Sequence, residues 1–204
     1  MSLSIDYYLA PMSPWAWLGH RRFAAIAEAA GARVQVLPVD LGGKVFPVSG
    51  GLPVAKRAPQ RQAYRLTELR RWSDYLGLPL NLSPRFFPVN PDDAARLIVA
   101  VEMKDGSAAA MGLTEAVLRA VWAEERNIAD EGTLAALLAE QGLPAARLDD
   151  SHTQAVHERY ENDSQRAIDA GVFGAPTYVV DGELFWGQDR LDFLERHLQR
   201  LQAR

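Results

Sequence analysis

The sequence predicts an α/β protein in which one sheet carries helices on its faces and a large all-helical segment is inserted. Three observations lead to this prediction. Two strand patterns flank one helix pattern near the N-terminus, several helix patterns follow one another in the middle, and a hairpin pattern precedes the last helix. This order of β-α-β, helical insertion and β-β-α buries the apolar sides of strands and helices economically in packed layers.

The N-terminal segment predicts a β-α-β unit. In residues 4–9, Ile5, Tyr7 and Leu9 would lie on one face of an extended chain and Asp6 and Tyr8 on the other. This alternation is typical of a strand. A helix pattern begins at Pro14 and closes at Gly31, and residues 33–39 form a second strand pattern. Because the links between these elements are short, we expect a right-handed crossover and parallel strands.

The middle of the chain is predicted to be helical. Residues 41–59 are rich in glycine and proline and predict a long loop, and the prolines within 79–89 predict an irregular extended segment. The helix patterns run from Pro59 to Gly77, from Asn90-Pro91 onward, and over about 107–124, 130–142 and 149–170. Five helices in a row predict a helical sub-bundle inserted between the strands.

The C-terminal segment predicts a hairpin and a final helix. Residues 175–180 and 183–186 are strand-like, and Asp181-Gly182 between them is a favourable two-residue turn. Gly187-Gln188-Asp189-Arg190 then opens a helix with leucines on one face. The predicted division is a discontinuous domain of residues 1–42 and 172–204 and an inserted segment of loop and helices, residues 43–171.

Composition excludes several functional classes. The 204 residues carry a net charge of −4, so neither nucleic acid nor an anionic membrane is an expected partner. The absence of cysteine excludes disulfides, thiolate metal sites and a cysteine nucleophile, and it fits a reducing cytoplasm. We expect neither a signal peptide nor a membrane span. The four histidines show no metal-ligand spacing, so we expect no metal site.

Ser13 lies where the first strand meets the first helix. Pro14 suits the first helical turn, so Ser13 is a natural N-cap whose hydroxyl oxygen accepts a backbone N–H. Local features support two interpretations. Ser13 either only caps the helix, or its hydroxyl and the helix dipole together hold an anion.

Two motifs carry a resemblance to a known family. Ser13-Pro14-Trp15-Ala16 stands where redox members of the DsbA superfamily have Cys-x-x-Cys, and the segment 171–177 resembles the cis-proline loop of that superfamily. This likeness implies a thioredoxin-like fold with a large all-helical insertion (DsbA-like). With serine in the first cysteine position, the chain resembles 2-hydroxychromene-2-carboxylate isomerases, which are relatives of kappa-class glutathione transferases. The segments 61–68 and 185–191 extend the resemblance over nearly the whole chain.

The resemblance implies a glutathione cofactor and an aromatic small-molecule substrate. A helix N-terminus lowers the pKa of a thiol, and a hydrogen bond donated by the Ser13 hydroxyl to the glutathione sulfur favours thiolate. The implied reaction interconverts 2-hydroxychromene-2-carboxylate and trans-o-hydroxybenzylidenepyruvate, with the nucleophile borrowed from the cofactor. It also implies a cytoplasmic homodimer that acts in aromatic compound degradation.

The second loop is assigned by the same resemblance. Pro176 is expected to be cis and to expose the backbone of Ala175 to the cysteinyl part of glutathione, a short case of strand addition. The alternative is an ordinary trans proline that begins a strand. Gln188 and Asp189 are expected to hold the γ-glutamyl end. As an acid at the start of a helix, Asp189 alternatively serves as an N-cap or a first-turn acid.

Further cofactor residues are expected on the helix after Pro59. Arg61 and Glu68 are seven residues apart, so they share one helix face; in isolation they are ordinary solvated charges. In kappa-like relatives a basic and an acidic residue at this spacing contact glutathione, and here Arg61 replaces the usual lysine and Glu68 the usual aspartate. Lys56 is a competing basic ligand.

The residues around the substrate leave alternatives open. Relatives often carry asparagine near Gly51, taken to contact substrate, and glycine supplies no amide. Four aromatic residues could line a substrate pocket or pack in the core: Trp15, Trp17, Phe46 and Trp186. The alternatives to an isomerase are a kappa-type glutathione transferase, which the Gly51 departure keeps open, and a non-catalytic thiol- or partner-binding module. The set of Ser13, Pro176 and Asp189 argues against the latter.

Overall fold

A computed structural model describes residues 3–203, so residues 1, 2 and 204, which end the predicted domains, lie outside it. Within this part the chain forms one four-stranded sheet in the order β2-β1-β3-β4. The strands are β1 (Ser4–Leu9), β2 (Arg33–Pro38), β3 (Thr177–Val180) and β4 (Glu183–Trp186). The helices are α1 (Pro14–Ala29), α2 (Phe46–Ser49), α3 (Pro59–Leu76), α4 (Asp92–Asp105), α5 (Ser107–Trp122), α6 (Glu131–Glu140), α7 (Arg147–Ser151), α8 (Gln154–Asp169) and α9 (Leu191–Gln202).

The sheet topology agrees with the sequence pattern. β1 pairs parallel with β2, as the short links predict, and antiparallel with β3, which pairs antiparallel with β4. The predicted hairpin turn is confirmed, because Asp181 and Gly182 both have positive φ, at 50° and 80°. β1 is therefore an inner strand, and the chain that leaves its C-terminal end is held on both sides.

One hydrophobic core joins the sheet to the inserted helices. Tyr7 of β1 and Tyr178 of β3 stack with ring centroids 5.2 Å apart. The ring centroid of Phe23 of α1 lies 4.5 Å from that of Tyr178. The same buried cluster continues into Leu97 of α4 and Leu113 of α5. This packing holds β1 and α1 firmly, and the junction between them is the place where Ser13 lies.

Two local predictions were wrong. The predicted loop at 41–59 contains a π-helical turn (Leu41–Val45), the short helix α2 and a 3-10 turn (Val54–Lys56). The single helix predicted over 149–170 breaks between α7 and α8, where Thr153 has an extended backbone with ψ of 150°. The Thr153 hydroxyl donates to the Asp150 carbonyl over 2.7 Å, and such local hydroxyl bonds compete with the helix.

Within residues 3–203 no helix is both long and apolar enough to cross a lipid bilayer.

His20 of α1 is buried in the core in its neutral form. Its Nε2 lies 3.1 Å from the Met111 carbonyl oxygen, which can only accept, so the network assigns the proton to Nε2. Nδ1 then accepts from the Tyr7 hydroxyl over 3.3 Å. Burial lowers the pKa of His20 to about 4.

This lowered pKa predicts a pH-dependent stability. The unfolded chain protonates His20 near its ordinary pKa of 6.5 and the folded chain only near about 4, so stability falls as the pH decreases through this window. Between about pH 6.5 and about pH 5.5, His20 is expected to remove about 1 kcal/mol of the free energy of unfolding. Urea unfolding at both pH values measures this loss.

The variant His20→Gln has no titrating ring at position 20. Between the two pH values its free energy of unfolding should therefore fall by about 1 kcal/mol less than that of wild type. His152→Gln serves as the control, because His152 is exposed. The same pH dependence in wild type and His20→Gln would contradict the assignment.

Candidate active site

Ser13 is both a helix cap and a link between two loops. Its Oγ accepts from the Ala16 N–H over 3.2 Å, so the predicted N-cap of α1 is confirmed. The same hydroxyl donates to the Ala175 carbonyl oxygen over 3.3 Å, although Ala175 is far away in sequence. The residue is buried, with 8% of its surface exposed. The fold therefore places the Ser13 hydroxyl directly against the backbone before Pro176.

The loop around Pro176 is held from both sides. The Ala175–Pro176 peptide bond is cis, as predicted. The Thr177 hydroxyl donates to the Gly174 carbonyl over 2.7 Å, and the Gly187 N–H donates to the Pro176 carbonyl over 2.9 Å. The second of these bonds joins the proline loop to the turn that carries Asp189.

That turn, a 3-10 turn of residues Gln188–Arg190, packs against α1. Gln188 is 2% exposed, and Arg22 Nη1 lies 3.4 Å from both its backbone and its side-chain oxygen. A Cβ added to Gly19 would lie 2.7 Å from the Gln188 Cβ, so only glycine allows this close approach. Gln188 thus attaches the turn to α1.

Asp189 projects from this turn into solvent. Its carboxylate lies 3.4 Å from Arg190 Nη1, and the residue is exposed. Of the two alternative roles predicted for Asp189, the first-turn acid is confirmed, because Asp189 lies in the first turn after Gly187. The N-cap is not, since no side chain caps this 3-10 turn or α9. The exposed carboxylate thus follows two residues after Gly187, whose N–H joins this turn to the proline loop.

The two predicted α3 residues share one face, as their spacing indicates. Arg61 is exposed, and Glu68 pairs with Arg71 at 2.6 Å. Hydrogen bonds from Arg71 and Tyr64 lower the pKa of Glu68, so it is a carboxylate at neutral pH. Lys56 ends the preceding 3-10 turn and is also exposed. Among residues 3–203, neither Lys56 nor Arg61 forms an ion pair, so both remain candidate ligands.

The aromatic residues that could line a pocket or pack in the core differ in their burial. Trp17 is 1% exposed and its Nε1 donates to the Pro79 carbonyl over 3.0 Å, so it belongs to the core. Trp15 is half-buried against the core, whereas Trp186 is half exposed and packs on Phe173 with ring centroids 4.7 Å apart.

Phe46 explains the glycine at position 51. A Cβ added to Gly51 would lie 2.0 Å from Phe46 Cδ1. The Phe46 ring therefore occupies the space into which an asparagine side chain at this position would extend. Glycine at position 51 therefore leaves the space that the Phe46 ring needs.

Sequence reasoning missed Arg65, which lies on the same face of α3 between Arg61 and Glu68. It is 8% exposed, and its guanidinium lies over the rings of Phe87 and Trp122. The position four residues after Arg61 and four before the buried Leu69 was the available signal, because i, i+4 spacing continues one helix face inward.

Comparison with known proteins identifies the family. A model of the DSBA-like thioredoxin domain matches residues 4–199. A 2-hydroxychromene-2-carboxylate isomerase from Pseudomonas putida is 30% identical over 201 residues, which cover 97% of this chain and 95% of that protein. The isomerase of the same name from Sphingobium xenophagum is 27% identical over 97% of this chain and 99% of its own length.

A solved structure supports the same assignment. A structure of 2-hydroxychromene-2-carboxylate isomerase superposes with a TM-score of 0.81 at 27% identity, covering 97% of this chain and 95% of that chain. The predicted thioredoxin-like fold with a helical insertion is thereby confirmed. Residues 4–199 form a DSBA-like thioredoxin domain in which Ser13 faces the loop around Pro176. With 30% identity over 97% of its length to such an isomerase, the chain belongs to the family of 2-hydroxychromene-2-carboxylate isomerases.

Proposed function

We propose that this protein is a glutathione-dependent isomerase that interconverts 2-hydroxychromene-2-carboxylate and trans-o-hydroxybenzylidenepyruvate, or a close aromatic analogue. The observation that carries the proposal is the contact between the Ser13 hydroxyl and the Ala175 carbonyl, 3.3 Å apart, at the N-terminus of α1 in a chain without cysteine. A serine there can stabilise a thiolate but cannot exchange disulfides, so the thiol must come from a ligand.

The residues around Ser13 fit the cysteinyl part of glutathione. The Ser13 hydroxyl has one proton to donate, and it donates this proton to the Ala175 carbonyl oxygen. The distance between the two oxygens is 3.3 Å, which is long for an O–H···O hydrogen bond. A thiolate at the helix N-terminus is a charged and therefore stronger acceptor. If the Ser13 hydroxyl donates to the thiolate instead, its hydrogen bond to the Ala175 carbonyl is broken. That carbonyl can then accept the peptide N–H of an extended ligand.

Other parts of the site fit the ends of glutathione. The exposed Asp189 carboxylate suits the ammonium of the γ-glutamyl residue, and the Gly187–Pro176 hydrogen bond keeps it beside the proline loop. Arg61 or Lys56, both exposed, can pair with a carboxylate. When bound there, glutathione would supply a thiolate nucleophile for reversible addition to the conjugated substrate, and it would not be consumed.

The chain's own contribution is to hold the sulfur as thiolate and to keep water away. Ser13 donates one hydrogen bond to the charged form, and the dipole of α1 adds a favourable field. Because Ser13 and Ala175 are both at least nine-tenths buried, these interactions act in a poorly hydrated place, where they are stronger than in water. From the resemblance we also propose a cytoplasmic homodimer, which light scattering after gel filtration would test.

The deciding experiment is an ultraviolet assay on 2-hydroxychromene-2-carboxylate with and without glutathione. We expect turnover to fall to background when glutathione is omitted or replaced by S-methylglutathione, which has no free thiol. Calorimetry should show glutathione binding. An equal rate without glutathione, or no heat at about millimolar glutathione, would contradict the proposal.

A kappa-type glutathione transferase is the second candidate, which Gly51 keeps open because relatives often carry an asparagine near this position, whereas here the Phe46 ring lies against the glycine. Free thiol measured over many turnovers separates the two. An isomerase leaves the thiol concentration constant, whereas a transferase consumes one glutathione for each product molecule.

A further inference from the structure

Arg65 is a buried cation for which residues 3–203 provide no hydrogen-bond acceptor. It is 8% exposed, and its Nη2 is buried with no acceptor among the described residues. Burial, and then the positive charge of Arg57, lower the pKa of Arg65 to about 10, so the guanidinium remains charged at neutral pH. A buried charge without a counter-ion is costly, so proteins rarely keep one unless a ligand completes it.

The surroundings of Arg65 are aromatic. The guanidinium carbon lies 5.3 Å from the ring centroid of Phe87 and 5.7 Å from that of Trp122, within the range of cation–π attraction. The two rings themselves pack with centroids 4.9 Å apart. The indole Nε1 of Trp122 is a second buried donor without an acceptor in the described part of the chain. Two unpartnered donors and two aromatic rings therefore lie together.

The local charge is positive. Arg57 is close enough to lower the pKa of Arg65, and Arg61 lowers that of Arg57 in addition to burial. Among residues 3–203, no carboxylate forms an ion pair with any of these three arginines; Arg57 instead donates to the Leu52 carbonyl over 2.8 Å. The cluster is thus suited to an anion that the chain does not provide.

The position of Arg65 connects it to the proposed glutathione site. Arg61, Arg65 and Glu68 are spaced by four and three residues and share one face of α3, which packs against α1. The segment carrying Phe87 is attached to α1 as well, through the hydrogen bond from Trp17 to Pro79. Arg65 therefore lies deeper along the face whose outer residue, Arg61, is a candidate glutathione ligand.

We propose that Arg65, together with the indole N–H of Trp122, binds the carboxylate of the aromatic 2-oxo acid substrate. This inference rests on the proposed function and deepens it. A guanidinium recognises a carboxylate with two parallel hydrogen bonds, and the Phe87 and Trp122 rings offer apolar faces to an aryl group. Glutathione carboxylates suit the exposed Arg61 or Lys56 better than a cation enclosed by aromatic rings.

The test uses trans-cinnamate as an unreactive aryl carboxylate and cinnamamide as its neutral match. Calorimetry is performed on wild type, Arg65→Met, Arg65→Lys and Arg70→Met, each with and without glutathione. Arg70 is an exposed arginine on the opposite face of α3 and serves as the matched control. Cinnamate affinity should fall about tenfold or more in Arg65→Met, partly recover in Arg65→Lys, and change less than about twofold in Arg70→Met.

Further readouts separate binding from a structural role. Cinnamamide should bind wild type and Arg65→Met equally and weakly, and the KM of the substrate should rise in Arg65→Met with little change in kcat. Without ligand, Arg65→Met should be at least as stable as wild type to urea, because it removes an unpaired buried charge. A large loss of stability in Arg65→Met would show a structural role and overturn the proposal.

Two other results would also overturn it: equal affinity of wild type for cinnamate and cinnamamide, or a loss of glutathione affinity in Arg65→Met without a loss of cinnamate affinity. Failure of the proposed function is separately visible. In that case glutathione gives no heat with wild type, while the cinnamate measurements without glutathione still report on Arg65.

Discussion

Replacing Ser13 by alanine is expected to lower kcat by about 100-fold while changing the dissociation constant of glutathione by less than about threefold. The reason is that, in the proposed function, the Ser13 hydroxyl would donate one hydrogen bond to the thiolate, whereas other residues would make most of the contact with glutathione. Loss of that donor raises the pKa of the bound thiol. The ultraviolet absorbance of the bound thiolate, followed against pH, should therefore shift to higher pH in Ser13→Ala.

The helix cap must be separated from this chemical role. Ser13→Ala also removes the hydrogen bond to the Ala16 N–H, which should cost about 1 kcal/mol of stability. Asp130→Ala is the matched control, because Asp130 caps α6 by accepting from the Thr133 N–H over 2.8 Å. It should lose similar stability and keep wild-type turnover. Wild-type turnover in Ser13→Ala would leave the residue as a cap alone.

Replacing Gly19 by valine is expected to reduce the free energy of unfolding by about 3 kcal/mol and to weaken glutathione binding about tenfold. An added Cβ would lie 2.7 Å from Gln188 Cβ and 3.4 Å from its Cα, so the turn of residues Gln188–Arg190 must move away from α1. Asp189 moves with this turn, which displaces its carboxylate from the proline loop. Urea unfolding and calorimetry measure the two effects.

Gly112→Val is the matched control for this prediction. Gly112 is also inside a helix, but an added Cβ there meets only the side-chain oxygen of Gln141, 3.0 Å away, which is the end of an exposed, flexible side chain. We expect a stability change within about 1 kcal/mol and unchanged glutathione affinity. Similar losses in both variants would mean that a helical glycine, rather than the contact with Gln188, is responsible.

Short-range chemistry made much of the fold predictable. Asp181-Gly182 predicts its hairpin because both residues must adopt positive φ, which aspartate and glycine tolerate. Ser13 predicts its cap because the hydroxyl reaches an N–H only three residues away. The break before Thr153 was missed because it depends on local hydroxyl bonds that a helical pattern of apolar residues does not show.

The candidate site depended on contacts between distant parts of the chain. Trp17 is an aromatic residue that suits a substrate pocket, but its indole lies in the core. The Pro79 carbonyl accepts the indole N–H, so the buried donor is satisfied there. At Gly51 an added Cβ would meet the Phe46 ring, a contact that the sequence alone does not show. From the sequence, Arg65 is expected to be an exposed charge on α3. Only the packing of Phe87 and Trp122 around its guanidinium shows that it is buried.

The sequence by itself determined the order of the strands and of the longer helices, the serine at the start of α1 and the proline loop, because each rests on residues close together in the chain. The family resemblance came from motifs spread along nearly the whole chain. The tertiary structure alone decided that the Ser13 hydroxyl meets the Ala175 carbonyl and that the Asp189 turn is attached to α1 at Gly19. It also decided that Nη2 of Arg65 is buried with no acceptor in the described part of the chain. The physical reason is that burial and hydrogen-bond partners are properties of packed neighbours, and those neighbours are distant in the sequence.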